Sequence, residues 1–180
     1  MSFDPPTMTQ RLIAADFLTP SYRIVGQIMV PNTGVVGLMN DTTNSFIEVM
    51  DAKLARVHMP TKLVGHFEVI RMVKKQIVAV CVKRREDLGP QALARGGYGR
   101  IVEYPAQIIS QVYEIEGIIE WSGRFDFTTI MAEGTRDFVP VYQSRLTAIL
   151  IPALKIESQA MLVNRTHVDM LGLVNHRLED

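Results

Sequence analysis

The sequence predicts an all-β, mainly antiparallel protein made of two tandem, five-stranded, barrel-like units with a short N-terminal helix. Three observations lead to this prediction. Apolar and polar residues alternate over several stretches, which is the period of two expected of a strand. A block of sequence from the first half recurs in the second half. Glycines stand inside strand-like stretches, as the sharp bends of a small barrel require.

The repeat begins with the pattern Y-x-I-x-G-x-I, which occurs over residues 22–28 and again over 113–119. After one inserted residue the match resumes, with 46–54 falling on 138–146 and Pro60 falling on Pro152. Blocks that recur in the same order predict a duplicated unit. Residues that recur where their neighbours vary are the predicted core: Phe46, Val49, Leu54, Phe138, Val141 and Leu146.

Strand-forming residue types then define the rest of each unit. In the first unit, residues 46–57 form one predicted strand, and 67–73 and 77–82 form a hairpin around the polar residues 74–76. In the second unit the hairpin runs from residue 160 around 164–167. Residues 7–17 are predicted to be a short helix, because Met8, Leu12 and Ala15 share a helical face.

A glycine- and proline-containing stretch separates the units, with Gly89-Pro90 followed by glycines at 96, 97 and 99. It is not a phosphate loop, since no Gly-Lys-Ser/Thr follows. The predicted boundaries are 1–14 for the N-terminal tail or short helix, 15–87 for the first unit, 88–105 for the linker, 106–172 for the second unit and 173–180 for the C-terminal tail.

Composition narrows the function classes. The 180 residues are 47% apolar, and 19 basic residues balance 19 acidic ones. Zero net charge argues against a dedicated nucleic-acid binder, whose affinity comes mainly from neutralising phosphates, and it lowers the self-repulsion that opposes association. The single cysteine, Cys81, permits no intramolecular disulfide. With neither a signal-like start nor an apolar run of membrane-spanning length, the chain is predicted to be cytoplasmic, without a membrane partner.

No catalytic or metal-binding pattern stands out. The four histidines lack the spacing with Cys, Asp or Glu that a metal site requires, although His58 and His66 flank one loop and leave a zinc pair as an alternative. Cys81 lies in an apolar strand and is predicted to be a small core residue. Asp126 and Glu133 are carboxylates that nothing in the spacing forces together. We therefore predict no catalytic residue, no metal, no cofactor and no enzymatic activity.

Two stretches resemble the motifs of Sm proteins. Residues 40–52 are similar to the first motif, in which D-x-x-x-N precedes an alternating strand and D-A, but the spacing from Asp41 to Asn44 is one residue short. Residues 69–78 are similar to the second motif, I-R-G-x-x-I, with Met72 in place of the glycine. The resemblance implies an Sm-like or SH3-like barrel. The G-x-I strand and the turn at 38–40 also resemble an uncharacterised family of small bacterial proteins, which implies no function.

The Sm resemblance implies weak contact with RNA or DNA. The residues that would make it are Arg71, Lys74, Lys75, Asn164 and Arg165. A second basic cluster, residues 83–85, is followed at once by Glu86-Asp87, which cancels much of its field. Trp121 and Tyr142 are able to stack on bases, but their strand positions favour packing.

The leading prediction is a non-enzymatic structural or interaction protein that forms a homo-oligomer, because open sheet edges invite pairing with another chain. Two alternatives stay open. One is an Sm-like RNA- or DNA-binding module. The other is a small-ligand protein or an enzyme that uses the groove between the units.

Overall fold

The computed structural model describes residues 9–90, 99–132 and 136–174. These residues form ten strands and two short α-helices: β1 (Arg11–Leu18), β2 (Tyr22–Val30), α1 (Gly34–Asn40), β3 (Phe46–Arg56), β4 (Leu63–Val73), β5 (Ala79–Val82), β6 (Ile101–Ser110), β7 (Tyr113–Ser122), α2 (Phe127–Met131), β8 (Phe138–Ala148), β9 (Lys155–Asn164) and β10 (Val168–Leu173). The strands pair in one sheet, in the order β10-β6-β7-β8-β9-β5-β1-β2-β3-β4. Each pairing is antiparallel. The predicted all-β, antiparallel class is therefore confirmed.

The N-terminal part of the chain forms a strand where a helix was predicted. The predicted helix over residues 7–17 is wrong from Arg11 onward, because those residues lie in β1. Ile13, Ala15 and Phe17 are buried at alternate positions, and the strand pairs with β2 on one side and with β5 on the other. These pairings along two edges outweigh the weak helical spacing of the sequence. Residues 1–8 lie outside the described part of the chain.

The two predicted hairpins are also wrong, because their strands are not neighbours. The chain leaves β4 through a 3₁₀ turn at Lys74–Gln76, and β5 then pairs with β1 and β9. In the second half a 3₁₀ turn at Arg165–His167 leads from β9 to β10, which pairs with β6. The first half has the order β5-β1-β2-β3-β4, and the second half has the order β10-β6-β7-β8-β9. The strand β6 begins at Ile101, inside the segment predicted as a linker.

Gly26 and Gly117 lie where the pairing of two long strands shifts register. The shift falls between Val25 and Gln27 in the β2–β3 pair, and Gly117 lies at the same kind of shift in the β7–β8 pair. A Cβ at Gly26 would lie 2.5 Å from the Val49 Cγ1 atom, and a Cβ at Gly117 would lie 2.5 Å from the Val141 Cγ1 atom. The prediction that these interior strand glycines mark an irregularity of the sheet is confirmed.

The core consists of two apolar clusters, and each draws residues from both halves of the chain. The first cluster contains mostly residues of the first half, and residues of β8 and β9 complete it: Phe138, Tyr142, Ala160 and Leu162. The second cluster contains mostly residues of the second half, together with these residues of the first: Leu18, Val57, Val78, Ala79 and Cys81. The two halves are therefore joined through their side chains as well as through the sheet.

Most of the predicted core residues are buried. Val49, Phe138, Val141 and Leu146 are at most 3% exposed, and Leu54 is half-buried. The prediction for Phe46 is wrong, since 41% of this residue is exposed. Phe46 pairs with Val73 on β4, and among the described residues no further strand lies beyond β4.

Candidate functional site

The two halves meet at a short seam between β5 and β9. Four residue pairs form it: Ala79 with Val163, Val80 with Leu162, Cys81 with Met161 and Val82 with Ala160. All eight residues are buried, with exposed fractions of 6% or less. The seam therefore continues the sheet and the core from one half into the other.

Asn164 closes one end of this seam. Its backbone N–H donates to the Val78 carbonyl at 2.9 Å, and its Nδ2 donates to the Ile77 carbonyl at 2.9 Å. Its Oδ1 accepts hydrogen bonds from the backbone and the hydroxyl of Thr166. The residue is 1% exposed, so these bonds satisfy a polar side chain that burial would otherwise destabilise. Asn164, which was predicted to contact nucleic acid, contacts the backbone that leads into β5.

The sequence carried a signal for the seam that the hairpin prediction missed. Residues 77–82 and 160–163 are continuous apolar runs rather than alternating ones. A continuous run is typical of a strand that is buried on both faces. In this fold β5 and β9 are such strands, because each has a strand on either side and a core cluster on either face.

The strands β4 and β10 lie at the two ends of the sheet, and in the part of the chain that the structure describes each has a neighbouring strand on one side only. Within the described residues, β4 pairs only with β3 and β10 pairs only with β6. Large apolar side chains are exposed at both ends: Leu63, Val64, Phe67, Val69 and Val73 on β4, and Met170 on β10. Charged or proline guards along such an edge would discourage pairing with another chain. Here His66, Glu68 and Arg71 are exposed on β4 and Asp169 is exposed on β10, but five of the eight exposed residues of β4 are apolar.

The four other residues predicted to contact nucleic acid do not form an open basic patch. Arg71 is exposed on β4 and is ion-paired with Glu48 at 3.0 Å. Lys75 is exposed in the 3₁₀ turn, where its carbonyl lies 2.6 Å from the Nε2 of His167. The Arg165 side chain is 11% exposed and lies 3.5 Å from Asp137. The contact between Lys75 and His167 does bring the two predicted turns together.

Lys74 is 7% exposed, and its Nζ donates to the Asp41 carbonyl at 2.7 Å. Burial lowers the pKa of this ammonium, and the nearby Asp41 carboxylate opposes that change. A lysine held in this way fixes the 3₁₀ turn against the segment after α1. It is therefore poorly placed to neutralise a phosphate.

The two arginines of the second basic cluster contact other side chains of the chain, whereas Lys83 is exposed. Arg84 is ion-paired with Asp87 at 2.9 Å. Arg85 is ion-paired with Glu120 at 2.6 Å, and its guanidinium lies 3.9 Å from the centre of the Tyr142 ring. Trp121 and Tyr142 are 8% and 3% exposed, which agrees with the predicted packing role. Neither ring offers an open face for a base.

An open groove of about 960 Å³ lies at the Val82 end of the seam, where Cys81 and Val82 line it. Side chains of both charges line it, and several are paired with each other: Asp16 with Arg23 at 2.5 Å and Arg145 with Glu157 at 3.0 Å. Among the described residues, no buried side-chain nitrogen or oxygen lacks a hydrogen-bond partner. The groove therefore has charged walls, to which Lys83, Glu116 and Lys155 also contribute.

The remaining candidate residues are placed apart. His66 pairs with Asp51, and the hydrogen bond from this histidine lowers the pKa of the exposed carboxyl. Cys81 is buried in the seam, and burial raises the pKa of its thiol. Asp126 caps α2 by accepting from the Thr129 N–H, while Glu133 lies outside the described residues. In the described ranges, no three His, Cys, Asp or Glu side chains are grouped as metal ligands.

Comparisons with protein-family models, with curated proteins and with solved structures yielded no match for this chain. Within residues 9–90, 99–132 and 136–174, no helix has the length and apolar character needed to cross a membrane.

Proposed function

We propose that this chain is a non-enzymatic structural subunit that assembles with copies of itself through the edges of its sheet. The observation that carries the proposal is the contrast between equivalent strands. By strand order, β10 is the equivalent of β5, and β4 is the equivalent of β9. At the seam β5 and β9 are buried against each other, whereas β10 and β4 are exposed at the ends of the sheet. A second copy is the simplest source of the missing neighbours.

The proposal includes the inference that the two halves are copies of one five-stranded, barrel-like unit. The recurring sequence block, the matching strand orders and the two glycines at register shifts support it. Asp51 and Gln143 add a further match. They follow Met50 and Tyr142 in β3 and β8, and both have positive φ, at 48° and 45°. A positive φ is uncommon outside glycine, so its recurrence at matching positions favours common ancestry.

Bulk properties agree with self-association. The net charge is zero, which removes the long-range repulsion between copies. Edge strands that are long and apolar pair readily with other chains unless they are covered. Covering them in an ordered assembly prevents the uncontrolled pairing that leads to aggregation.

Nucleic-acid binding ranks below self-assembly as a proposal. Asn164 and Lys74 are buried, and Arg71 and Arg165 lie beside carboxylates. The groove alternative ranks lower because four of its seven charged side chains pair with each other and no buried polar side-chain atom of the described residues lacks a partner. Arg71, Arg165 and the four paired groove residues would have to give up existing contacts to bind a ligand.

Light scattering of the pure protein across a concentration series tests the proposed function. We expect a mass that is a multiple of 20.2 kDa at micromolar concentration. Because apolar contacts dominate the edges, the mass should persist in 0.5 M salt. A mass of one chain at tens of micromolar would contradict the proposal.

A further inference from the structure

We propose that β10 of one copy pairs with β4 of the next in the same register that joins β5 to β9 inside the chain. This inference rests on the proposed function and specifies which strands meet, which residues pair and which side of each copy is used. The contact is head-to-tail, since β10 and β4 are different surfaces. Repeating it gives a closed ring if the rotation between copies closes, and a filament if it does not.

The register follows from equivalent positions in the two halves. Ala15 pairs with Val82, and its counterpart Ala106 pairs with Leu173, so Leu173 is the counterpart of Val82. By the same reasoning Val73 is the counterpart of Asn164, because they face Phe46 and Phe138. Transferring the seam to these strands pairs Met170 with Met72, Leu171 with Arg71, Gly172 with Ile70 and Leu173 with Val69 of the next copy.

The backbone hydrogen-bonding groups of the two edges provide an independent check. Lys74 donates its N–H to Ser45, so alternation turns the N–H and C=O of Val69 and Arg71 away from β3. On β10, Val174 donates to Pro105, so Leu171 and Leu173 present these groups away from β6. The transferred register places the outward groups of Leu171 and Leu173 opposite those of Arg71 and Val69. A slip of one residue would place them opposite inward-facing groups.

Apart from Arg71, which is ion-paired with Glu48 and stands where the seam has the buried Leu162, side chains at the two edges match the buried contacts of the seam. Phe138, Tyr142, Ala160 and Leu162 reach across the seam and complete the first core cluster. Their counterparts in the first half are Phe46, Met50, Val69 and Arg71, and none of these is buried. Phe46 and Val69 are 41% and 46% exposed. In the proposed pairing Phe46 and Val69 would pack against the second core cluster of the next copy. Phe138 and Ala160 pack in the same way against the first core cluster within one chain.

Mixing of single-cysteine variants tests the register. In a Cys81→Ala background, Ile70→Cys and Gly172→Cys place thiols on a pair without mutual backbone hydrogen bonds, where Cα atoms lie about 4.5 Å apart and a disulfide is possible. A Cβ at Gly172 meets no atom within 4 Å, so this substitution is tolerated within the chain. We expect a two-chain disulfide after mild oxidation of the mixture. Each variant oxidised alone should remain a single chain, and so should the control mixture of His66→Cys with Gly172→Cys.

A second pair of variants tests the backbone contact. Val69→Pro removes an outward N–H without touching the hydrogen bonds from β4 to β3, whereas Val69→Thr keeps that N–H. We expect the proline variant to scatter light as one chain and the threonine variant to keep the wild-type mass. Circular dichroism and thermal melting report whether each variant is folded.

The outcomes separate the two claims. A wild-type oligomer without the disulfide between positions 70 and 172 would overturn the proposed register and leave self-assembly standing. A disulfide formed by Ile70→Cys alone would also overturn it, because β4 would then pair with β4. A wild-type protein that remains a single chain would remove the proposed function and the register together.

Discussion

Phe46 and Phe138 begin equivalent strands, yet only Phe138 is buried. The backbone of Phe138 is fixed by Asn40, whose Oδ1 accepts from the Phe138 N–H and whose Nδ2 donates to its carbonyl. Its ring packs in the first core cluster. Phe46 lies next to β4, which is the last strand of the sheet in the described part of the chain. The same residue type therefore has different surroundings because one copy lies at the seam and the other at a free edge.

This difference predicts unequal effects of alanine substitution. In the Val69→Pro background, which removes the proposed contact between copies, Phe138→Ala should lower the free energy of unfolding by about 3–5 kcal/mol. Phe46→Ala should lower it by less than about 1 kcal/mol, since a partly exposed ring loses little burial. Urea unfolding of both variants measures the difference. Equal losses would mean that Phe46 is part of a core within the single chain.

Gly26 is required by the close approach of β3. A Cβ there would lie 2.5 Å from the Val49 Cγ1 atom and 2.8 Å from the Met50 carbonyl oxygen. Gly26→Ala should therefore cost about 1–3 kcal/mol in unfolding free energy, as overpacking does. The matched control is Gly172→Ala, which should change stability by no more than about 0.5 kcal/mol. A neutral Gly26→Ala would show that the strands separate easily at the register shift.

Local features of this kind could be read from the sequence. The alternation around Gly26, and its recurrence around Gly117, correctly placed both glycines at irregularities of the sheet. The burial of Phe138 was also predicted, but the exposure of Phe46 was not. Which copy of a repeated residue lies at an edge depends on the order of strands far apart in the chain. The local sequence does not contain that order.

At the scale of elements, the 3₁₀ turns explain why the predicted hairpins failed. The polar residues after β4 and β9 are typical of hairpin tips, but each turn leads the chain to the opposite end of its group of five strands. Asn164 and Lys74 illustrate the difficulty, since both are polar in sequence and buried in the fold. The buried polar groups of Asn164 and Lys74 are satisfied by hydrogen bonds to the carbonyls of Ile77 and Asp41. Both partners are distant in the chain, so the local sequence does not indicate them.

The stability of the seam between β5 and β9 depends on Asn164. Replacing it with alanine leaves the Ile77 carbonyl without its side-chain donor and removes the acceptor for Thr166, so we expect a loss of about 1–3 kcal/mol in urea unfolding. The control Thr166→Val removes only the hydroxyl bond to Asn164 and should cost less. A neutral Asn164→Ala would contradict the role assigned to this residue.

Cys81 reports on the opening of the same seam. It is buried between β1 and β9, and its raised pKa keeps the thiol protonated at neutral pH, so a thiol reagent should label it only when the seam opens. In Asn164→Ala the labelling rate should increase about tenfold for each 1.4 kcal/mol lost. Rapid labelling of the wild-type protein would show that β5 is accessible.

At the scale of the whole molecule, charge pairing bears on the nucleic-acid prediction. Lys74 is buried, and Arg71 and Arg165 lie beside carboxylates, so Lys75 is the one exposed lysine of the two described turns. We therefore expect no retention of single-stranded RNA or DNA in filter binding at 150 mM salt. At 50 mM salt, any weak retention should fall further in Lys75→Glu. Strong, salt-sensitive binding that Lys75→Glu abolishes would instead support an Sm-like role.

The sheet consists of two groups of five strands in matching order, and β10 and β4 each have one unpaired edge among the described residues. We infer that copies of the chain pair at these edges. Hydrogen–deuterium exchange with single-amide assignment over β4 and β10, measured at several protein concentrations, tests whether copies pair through these strands. We predict that the outward amides of Val69, Arg71, Leu171 and Leu173 become protected as concentration rises, approaching the protection of their counterparts at the seam. If these amides exchange as freely as those of unpaired strand edges at every concentration up to the millimolar range, self-assembly through β4 and β10 is contradicted.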